Sequence, residues 1–395
     1  MNIVILAAGK GSRMKSSLTK VLHQIGGKSM ISHVVQTAIS LKPKKIFIVV
    51  SENKSEIESV LAPFYKKDLQ IVFVDQNPAL GTGHAVKLVA PKLDTSCDTL
   101  ILYGDVPLIS SDSLKILSKK PDRPLLRVLT AVLRNPKGYG RIIRDDNGLI
   151  RDCVEEKDAN TCEKKINEIN TGIMFVTTKE LIGWLLRIDN NNKQNEYYLT
   201  QIISLANADR ISVFPISASD TEEISGVNSQ VQKSAVERIF QKKCAIEFSK
   251  KGLEISDINR FDIRGELIFE DDVKIDIGCL FIGKVTIGKG VSIEPYCIIK
   301  NSSIGSNTTI KAFTHIENST IGSDSTVGPY SRLRPNSQID NNCKIGNFVE
   351  TKNVQLNENS KVSHLSYIGD AQIGKNVNIG AGTITCNYDG HMKQH

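Results

Sequence analysis

No stretch of the chain approaches the roughly 18 consecutive apolar residues of a membrane-spanning helix, so membrane insertion is excluded. No two cysteines stand at CxxC spacing, and the eight that occur are scattered along 395 residues. Neither a zinc site nor a disulfide framework is expected; in a reducing compartment such cysteines serve as small buried hydrophobes. No concentrated basic tract is present. Fifty Lys and Arg against 43 Asp and Glu leave a net charge of +7, which anionic small substrates or solubility explain without a nucleic-acid partner. A secretory leader is not expected, because the first apolar stretch is short and its basic residues follow rather than precede it. The chain therefore reads as cytoplasmic. Low hydrophobicity is also missing: 40% hydrophobic and 24% charged residues are the balance of a globular protein, and the length suits two or three domains.

What is there divides into two periods. From residue 1 to about Ile224, short β-branched runs (NIVILAA, KKIFIVV, LQIVFVD, TLILY) alternate with helical patterns such as Ile31, Val34, Val35, Ala38 and Leu41. Uninterrupted apolar strands between amphipathic helices predict βαβ units and a mainly parallel sheet covered on both faces. Residues 229–250 form a polar-rich helical candidate, with Val231, Ala235, Ile239 and Ala245 as a narrow apolar stripe. After about Ile258 a six-residue spacing takes over: Leu267, Val273, Cys279, Val285, Val291 and Cys297; then Ile298, Ile304, Ile310 and Ile316; then Ile321, Val327, Leu333, Ile339 and Ile345. That period predicts a parallel β-helix whose coils each point aliphatic residues inward.

The first strand runs into Leu6-Ala7-Ala8-Gly9-Lys10-Gly11-Ser12-Arg13-Met14. A P-loop needs GxxxxGK[ST], and no glycine sits at the required upstream position. A dinucleotide fingerprint needs GxGxxG, and Met14 occupies the third glycine's place. The physical content survives both failures. A glycine-rich turn after a parallel strand exposes backbone N–H groups at the sheet's carboxyl edge, where phosphates bind. Arg13 and Lys20 bring cationic side chains to that turn. Asp105, just past TLILY, faces the same edge and is a candidate Mg2+ ligand, with a turn or helix-capping aspartate as the plain alternative. Gln76, Gly81 and Thr82 follow the LQIVFVD strand; an amide can read the edge of a base.

LAAGKGSRM followed by Lys20 resembles the signature of sugar-1-phosphate nucleotidyltransferases. Beside a hexapeptide-repeat half, the chain is similar to the bacterial bifunctional N-acetylglucosamine-1-phosphate uridylyltransferase/glucosamine-1-phosphate acetyltransferases. The motifs run the length of the chain: LGTGHA (80–85), YGDVPLI (103–109), GYGRI (138–142), EINTGI (168–173), GVN (226–228), RLRP (332–335), GNFVE (346–350), SHLSYIGDA (363–371) and VNIGAGTITCNYDG (377–390).

The resemblance implies a Rossmann-like α/β domain over 1–228, a helical linker over 229–250 and an incomplete left-handed β-helix over 251–395. It implies uridylyl transfer from UTP to N-acetylglucosamine-1-phosphate, giving UDP-N-acetylglucosamine for cell-wall precursors. Arg13 and Lys20 are then catalytic. Leu6, Ala7, Ala8, Gly9, Gln76, Gly81, Thr82, Tyr103, Gly104 and Asp105 bind the nucleotide, and Gly140, Glu155 and Asn170 surround the sugar. Asn228 joins Asp105 on Mg2+. In the second half His364 matches a general base, an imidazole role. Arg334, Lys352, Tyr367 and Asn378 match contacts to glucosamine-1-phosphate, and Ala381, Asn387 and Tyr388 lie near acetyl-CoA. A homotrimer is implied as well.

The sequence departs from the family at its end, stopping at 389–395 where the family continues through coils that bind coenzyme A. The expectation is a C-terminally truncated acetyltransferase half. Two other functions fit parts of the pattern. One is a non-catalytic subunit of a regulatory assembly, which has no need of Arg13, Lys20, Asp105 and Asn228 together. The other is a uridylyltransferase for another sugar-1-phosphate, which has no need of RLRP and SHLSYIGDA.

Overall fold

A computed structural model of the chain describes residues 1–9, 11–65, 68–119, 125–386 and 388–392. It divides into two compact units, one of residues 1–24 and 29–236, the other of residues 25–28 and 237–395.

In the first unit the apolar runs form strands β1 (Asn2–Leu6), β2 (Lys45–Val50), β3 (Gln70–Asp75) and β4 (Thr99–Tyr103). All five β1 residues are buried, as a strand packed on both faces requires. Alternation splits them: Val4 and Leu6 pack with Phe47, Ile101 and Trp184 on one face, Ile3 and Ile5 with Ile46, Leu100 and Leu102 on the other. The remaining strands are β5 (Leu126–Val132), β6 (Gly140–Arg144), β7 (Ile150–Val154), β8 (Glu168–Val176) and β9 (Val213–Ser217). The sheet order is β9-β5-β8-β4-β1-β2-β3, with β6 and β7 extending from β8. Strands β4-β1-β2-β3 are parallel, while β8 runs antiparallel to both neighbours. Chain order reverses beside β1, and the carboxyl ends of such strands open the crevice where α/β folds bind ligands.

Helix α1 (Met30–Ser40) starts at Ser29, whose hydroxyl accepts the Ser32 N–H, and buries Ile31, Val34, Val35 and Ala38. Helices α2 (Lys54–Leu61), α3 (Thr82–Val89), α4 (Ser111–Leu117), α5 (Thr178–Leu185) and α6 (Gln201–Ala208) complete the covering layers.

Helix α7 (Gln230–Lys250) occupies the polar-rich segment, but its buried line differs from the expected stripe. Val231 is 80% exposed, Ala235 is exposed and Ile239 half-buried, whereas Val236, Gln241 and Ala245 are buried. Gln241 is polar. It is accommodated because its amide makes two hydrogen bonds to the Ile263 backbone, at 2.7 and 2.8 Å.

The second unit is a parallel β-helix. Short strands such as Ser292–Ile293, Thr309–Ile310, Thr326–Val327, Lys344–Asn347 and Lys361–His364 each pair in parallel with the next. Their inward residues Ile293, Ile310, Val327, Ile345 and Val362 stack in one core. The six-residue arithmetic holds for every named position except Ile298, which faces outward while Cys297 and Ile299 are buried. Several coils are 17 residues rather than three full hexads, as the Ile293–Ile310 and Ile310–Val327 pairings set out, so the phase slips by one at a tight corner. Asn301, Asn318 and Asn353 stand at that corner with left-handed φ of 45–47°, a conformation asparagine tolerates.

Candidate active site

The rim of the first unit's sheet gathers residues from distant parts of the chain. β1 ends at Leu6; the Ala7 N–H bonds the Val49 carbonyl and the Gly104 N–H bonds the Leu6 carbonyl, both at 2.9 Å. Beyond lies a cavity of about 570 Å³ lined by Leu6, Ala7, Ala8, Gly9, Lys20, Gln76, Gly81, Thr82, Tyr103 and Asp105. Lys10, inside the glycine motif, lies outside the described residues. Gly11 has φ +61° and leads into a 3-10 turn, Ser12–Met14, that carries Arg13.

Lys20 Nζ pairs with the Asp105 carboxylate and donates to Asn228 Oδ1 at 2.7 Å. Arg13 Nη2 donates to the same Asn228 oxygen at 3.0 Å. The Val227 N–H bonds the Asp105 carbonyl at 3.0 Å, fixing the GVN segment to the end of β4. Two cations, a carboxylate and an amide oxygen therefore share one neighbourhood, although Asn228 is 208 residues from Lys20. The donors of Asp105 and Asn228 are hard oxygens converging on one cationic atom, a set that suits Mg2+ completed by waters and phosphate oxygens.

Gln76 is 4% exposed at the end of β3. Its amide nitrogen donates to the Gly81 carbonyl at 2.9 Å and meets His84 Nδ1 at 3.1 Å. Gly81 has φ +110°, and a Cβ there would lie 2.6 Å from the Tyr197 carbonyl, so only glycine fits. Thr82 Oγ1 accepts the Leu199 N–H at 3.1 Å.

Tyr103 links this cavity to a second group. Burial is the main cause holding its hydroxyl well above the usual phenol value, with the Glu155 and Asp105 carboxylates adding to it. Gly140 and Asn170 are partners across β6 and β8. Asn170 is buried, and its Oδ1 accepts the Gly172 N–H at 2.9 Å. Glu155 accepts from Thr200 Oγ1 at 3.1 Å, and burial raises its carboxyl above the ordinary value against that hydrogen bond. Sequence reasoning missed Glu196, which lines the cavity, and Tyr197, which clamps its wall. Their run, Glu196-Tyr197-Tyr198-Leu199-Thr200, has no apolar period to draw attention.

In the second unit, Arg334 donates to Glu350 at 2.8 Å, and this bond is the first cause holding its guanidinium above the usual value, with Tyr367 contributing as a further nearby group. Glu350 pairs in register with Tyr367, and Lys352 with Gly369, so Lys352 and Tyr367 share one sheet; Arg334 directly follows the strand Arg332–Leu333 of that sheet, its N–H on the Thr351 carbonyl at 2.8 Å. His364 lies on the other sheet, at the end of Lys361–His364, exposed, with Nδ1 3.3 Å from Asn347 Oδ1. Asn378 is on that sheet too but pairs with Lys361, three residues before His364. Ala381 and Tyr388 are exposed. Asn387 lies outside the described residues.

Comparison with known proteins gives matches over both units. The MobA-like NTP transferase domain matches residues 3–140, and the GMPPB C-terminal domain matches residues 263–337. The bifunctional protein GlmU of Janthinobacterium sp. (strain Marseille) is 47% identical over 393 residues, covering 100% of this chain and 86% of that protein. Its counterpart from Marinomonas sp. (strain MWYL1) is 48% identical over 392 residues, covering 99% and 85%. That of Legionella pneumophila subsp. pneumophila is 46% identical over 398 residues, covering 100% and 85%. With nearly half of all positions identical along its whole length, on a nucleotidyltransferase fold joined to a parallel β-helix, the chain belongs to the bifunctional GlmU family.

Proposed function

We propose that the first unit transfers a uridylyl group from UTP to N-acetylglucosamine-1-phosphate, yielding UDP-N-acetylglucosamine and pyrophosphate. A phosphate oxygen of the sugar attacks the α-phosphorus in line, and the bond to the leaving pyrophosphate breaks. Both reactants are anions, so the barrier falls mainly through positioning and charge compensation. The observation that carries this reading is the convergence of Arg13 and Lys20 on Asn228, with Lys20 also on Asp105, at the cavity rim. In this role Arg13 and Lys20 neutralise the triphosphate and the departing charge. Asp105 and Asn228 hold Mg2+, which when bound supplies further charge compensation to phosphate oxygens. Leu6, Ala7, Ala8 and Gly9 line the nucleotide's path, Gln76 and Gly81 meet the base, and Gly140, Glu155 and Asn170 receive the sugar.

The β-helix half acts on glucosamine-1-phosphate with acetyl-CoA as co-substrate. Arg334 and Lys352 bind the sugar phosphate, and Tyr367 and Asn378 the sugar. An amide carbonyl only accepts, so Asn347 Oδ1 beside His364 Nδ1 favours a proton on that nitrogen. Nε2 is then the free base for the substrate amine, whose lone pair attacks the thioester carbonyl and expels the coenzyme A thiolate. Ala381, Asn387 and Tyr388 approach the thioester. Tyr296, Phe313, Tyr330 and Phe348 stack at 5.0–5.7 Å in a half-exposed column along the solenoid. Such a surface supports self-association, a homotrimer in this reading, in the cytoplasm.

Pyrophosphate release is measured with UTP and either N-acetylglucosamine-1-phosphate or glucose-1-phosphate, and acetyl-CoA-dependent thiol release on the same preparation. Preference for the N-acetylated sugar and thiol release from glucosamine-1-phosphate are expected. Pyrophosphate release that favours glucose-1-phosphate overturns the assignment of the first half.

A further inference from the structure

We infer that His84 is a positioning residue for nucleobase choice: it fixes which end of the Gln76 amide meets the base. The inference rests on the proposal that the cavity takes a nucleotide. Gln76 is anchored by its own N–H, which donates to the Val50 carbonyl at 2.7 Å. Its side chain lines the cavity and is almost wholly buried, so the orientation of its amide decides what the cavity presents. A backbone carbonyl only accepts, so the Gly81 oxygen at 2.9 Å requires the NH2 end of the amide. The second amide hydrogen points to His84 Nδ1 at 3.1 Å, which must then carry a lone pair, with the ring proton on Nε2.

Both amide hydrogens are thereby engaged within the protein. Among the described residues none donates to Gln76 Oε1, so the cavity meets a bare acceptor. An acceptor pairs with the imide N3–H of uracil. At the same ring position cytosine carries a lone pair, which an acceptor repels. The protein holds the imidazole in the neutral form this needs: burial, then the charge of Lys87, keeps its pKa below the ordinary value. The ring sits in the first turn of α3, 6.2 Å from the Tyr197 ring, and Lys87 lies over that same ring at 5.8 Å. Without His84, one of two bonds holding the amide is gone, and the amide turns more readily to suit the wrong base.

The test is steady-state pyrophosphate release with N-acetylglucosamine-1-phosphate and either UTP or CTP, on the full chain and two variants. His84→Ala is expected to raise KM for UTP about three- to tenfold with kcat nearly unchanged, and to lower the UTP-over-CTP ratio of kcat/KM by about tenfold. His84→Asn places an amide oxygen close to the Nδ1 position and is expected to restore most of the ratio. A ratio in His84→Ala equal to the parent's overturns the inference, as does His84→Asn with the ratio of His84→Ala. If His84→Ala does not fold, His84→Leu, which fills the space with no acceptor, carries the same comparison. A parent chain that turns over neither nucleotide defeats the nucleotide reading itself and is distinguished from both results.

Discussion

Lys20→Ala is the most direct perturbation of the proposed chemistry, because one atom serves two partners. Lys20 Nζ lies between the Asp105 carboxylate and Asn228 Oδ1, with the Lys20 and Asp105 side chains 11% and 18% exposed. At an effective dielectric of about 20, two unit charges 4 Å apart interact by roughly 4 kcal/mol. Removing one preorganised charge-stabilising donor from an active site costs about 10²–10³ in kcat, or roughly 2.7–4 kcal/mol. Turnover of Lys20→Ala in a Mg2+-dependent pyrophosphate assay is therefore expected to fall by about 10²–10³, mostly in kcat. A competing explanation is structural. Breaking a buried ion pair leaves a carboxylate uncompensated and can destabilise by up to about 3–5 kcal/mol, less here because both groups retain some solvent. The double variant Lys20→Ala/Asp105→Asn separates the two: removal of both charges should restore the melting temperature and leave turnover low. A folded Lys20→Ala with turnover within tenfold of the parent refutes the charge-compensation argument.

Gly172→Ala should disturb the other side of Tyr103: its φ is +84°, and a Cβ there would lie 2.5 Å from a Tyr103 ring carbon. We expect a loss of about 1–3 kcal/mol in urea unfolding together with a raised KM for UTP; a variant with parental stability and parental KM contradicts the packing. Ile316→Ala removes a fully buried side chain from the middle of the β-helix core and should cost about 2–5 kcal/mol, read from the denaturant midpoint of the solenoid transition. Burial is the largest cause holding the His23, His84 and His315 imidazoles below their ordinary pKa. The unfolded chain then binds more protons in that range, so their contribution to stability is complete above about pH 6.5. It is lost as the pH falls from there through the lowered folded values. His23, whose Nε2 is buried with no hydrogen-bond partner among the described residues, should contribute visibly. The parent's melting temperature should drop between pH 7.5 and 5.5, and a His23→Phe variant should drop less; equal slopes refute the assignment.

The solenoid was legible because its physics is local. Each coil must turn one aliphatic residue inward per side, so Val285, Val291, Ile310 and Val327 announce themselves by spacing alone. The six-residue period fails once, at Ile298, where the tight corner at Asn301 shortens the coil to 17 residues. The strands of the first unit were legible for a related reason. A strand buried on both faces has no polar positions to interrupt it, and β1 has none after Asn2. The apolar stripe misses the buried line of helix α7 because Gln241 takes a core position by satisfying both of its polar ends on Ile263; an apolar pattern has no symbol for a saturated amide.

The candidate site separates along the same line. Lys20 and Asp105 could be suspected from position, since each follows a feature, a glycine turn or a strand end, that sheet topology carries to the carboxyl rim. Asn228 could not. Nothing in GVN marks an asparagine whose oxygen will receive two cations, and only the return of the chain to the end of β4, through the Val227 N–H and the Asp105 carbonyl, brings it there. His84 is a stronger case. Its motif alone assigns it no role, because what it does depends on a partner eight residues away whose two ends look alike until a backbone carbonyl and an imidazole lone pair tell them apart. Residues that touch the reactants tend to sit at element ends and carry charge, so a sequence betrays them. Residues that orient them work through hydrogen-bond direction, which is set only when the fold has chosen which donor faces which acceptor.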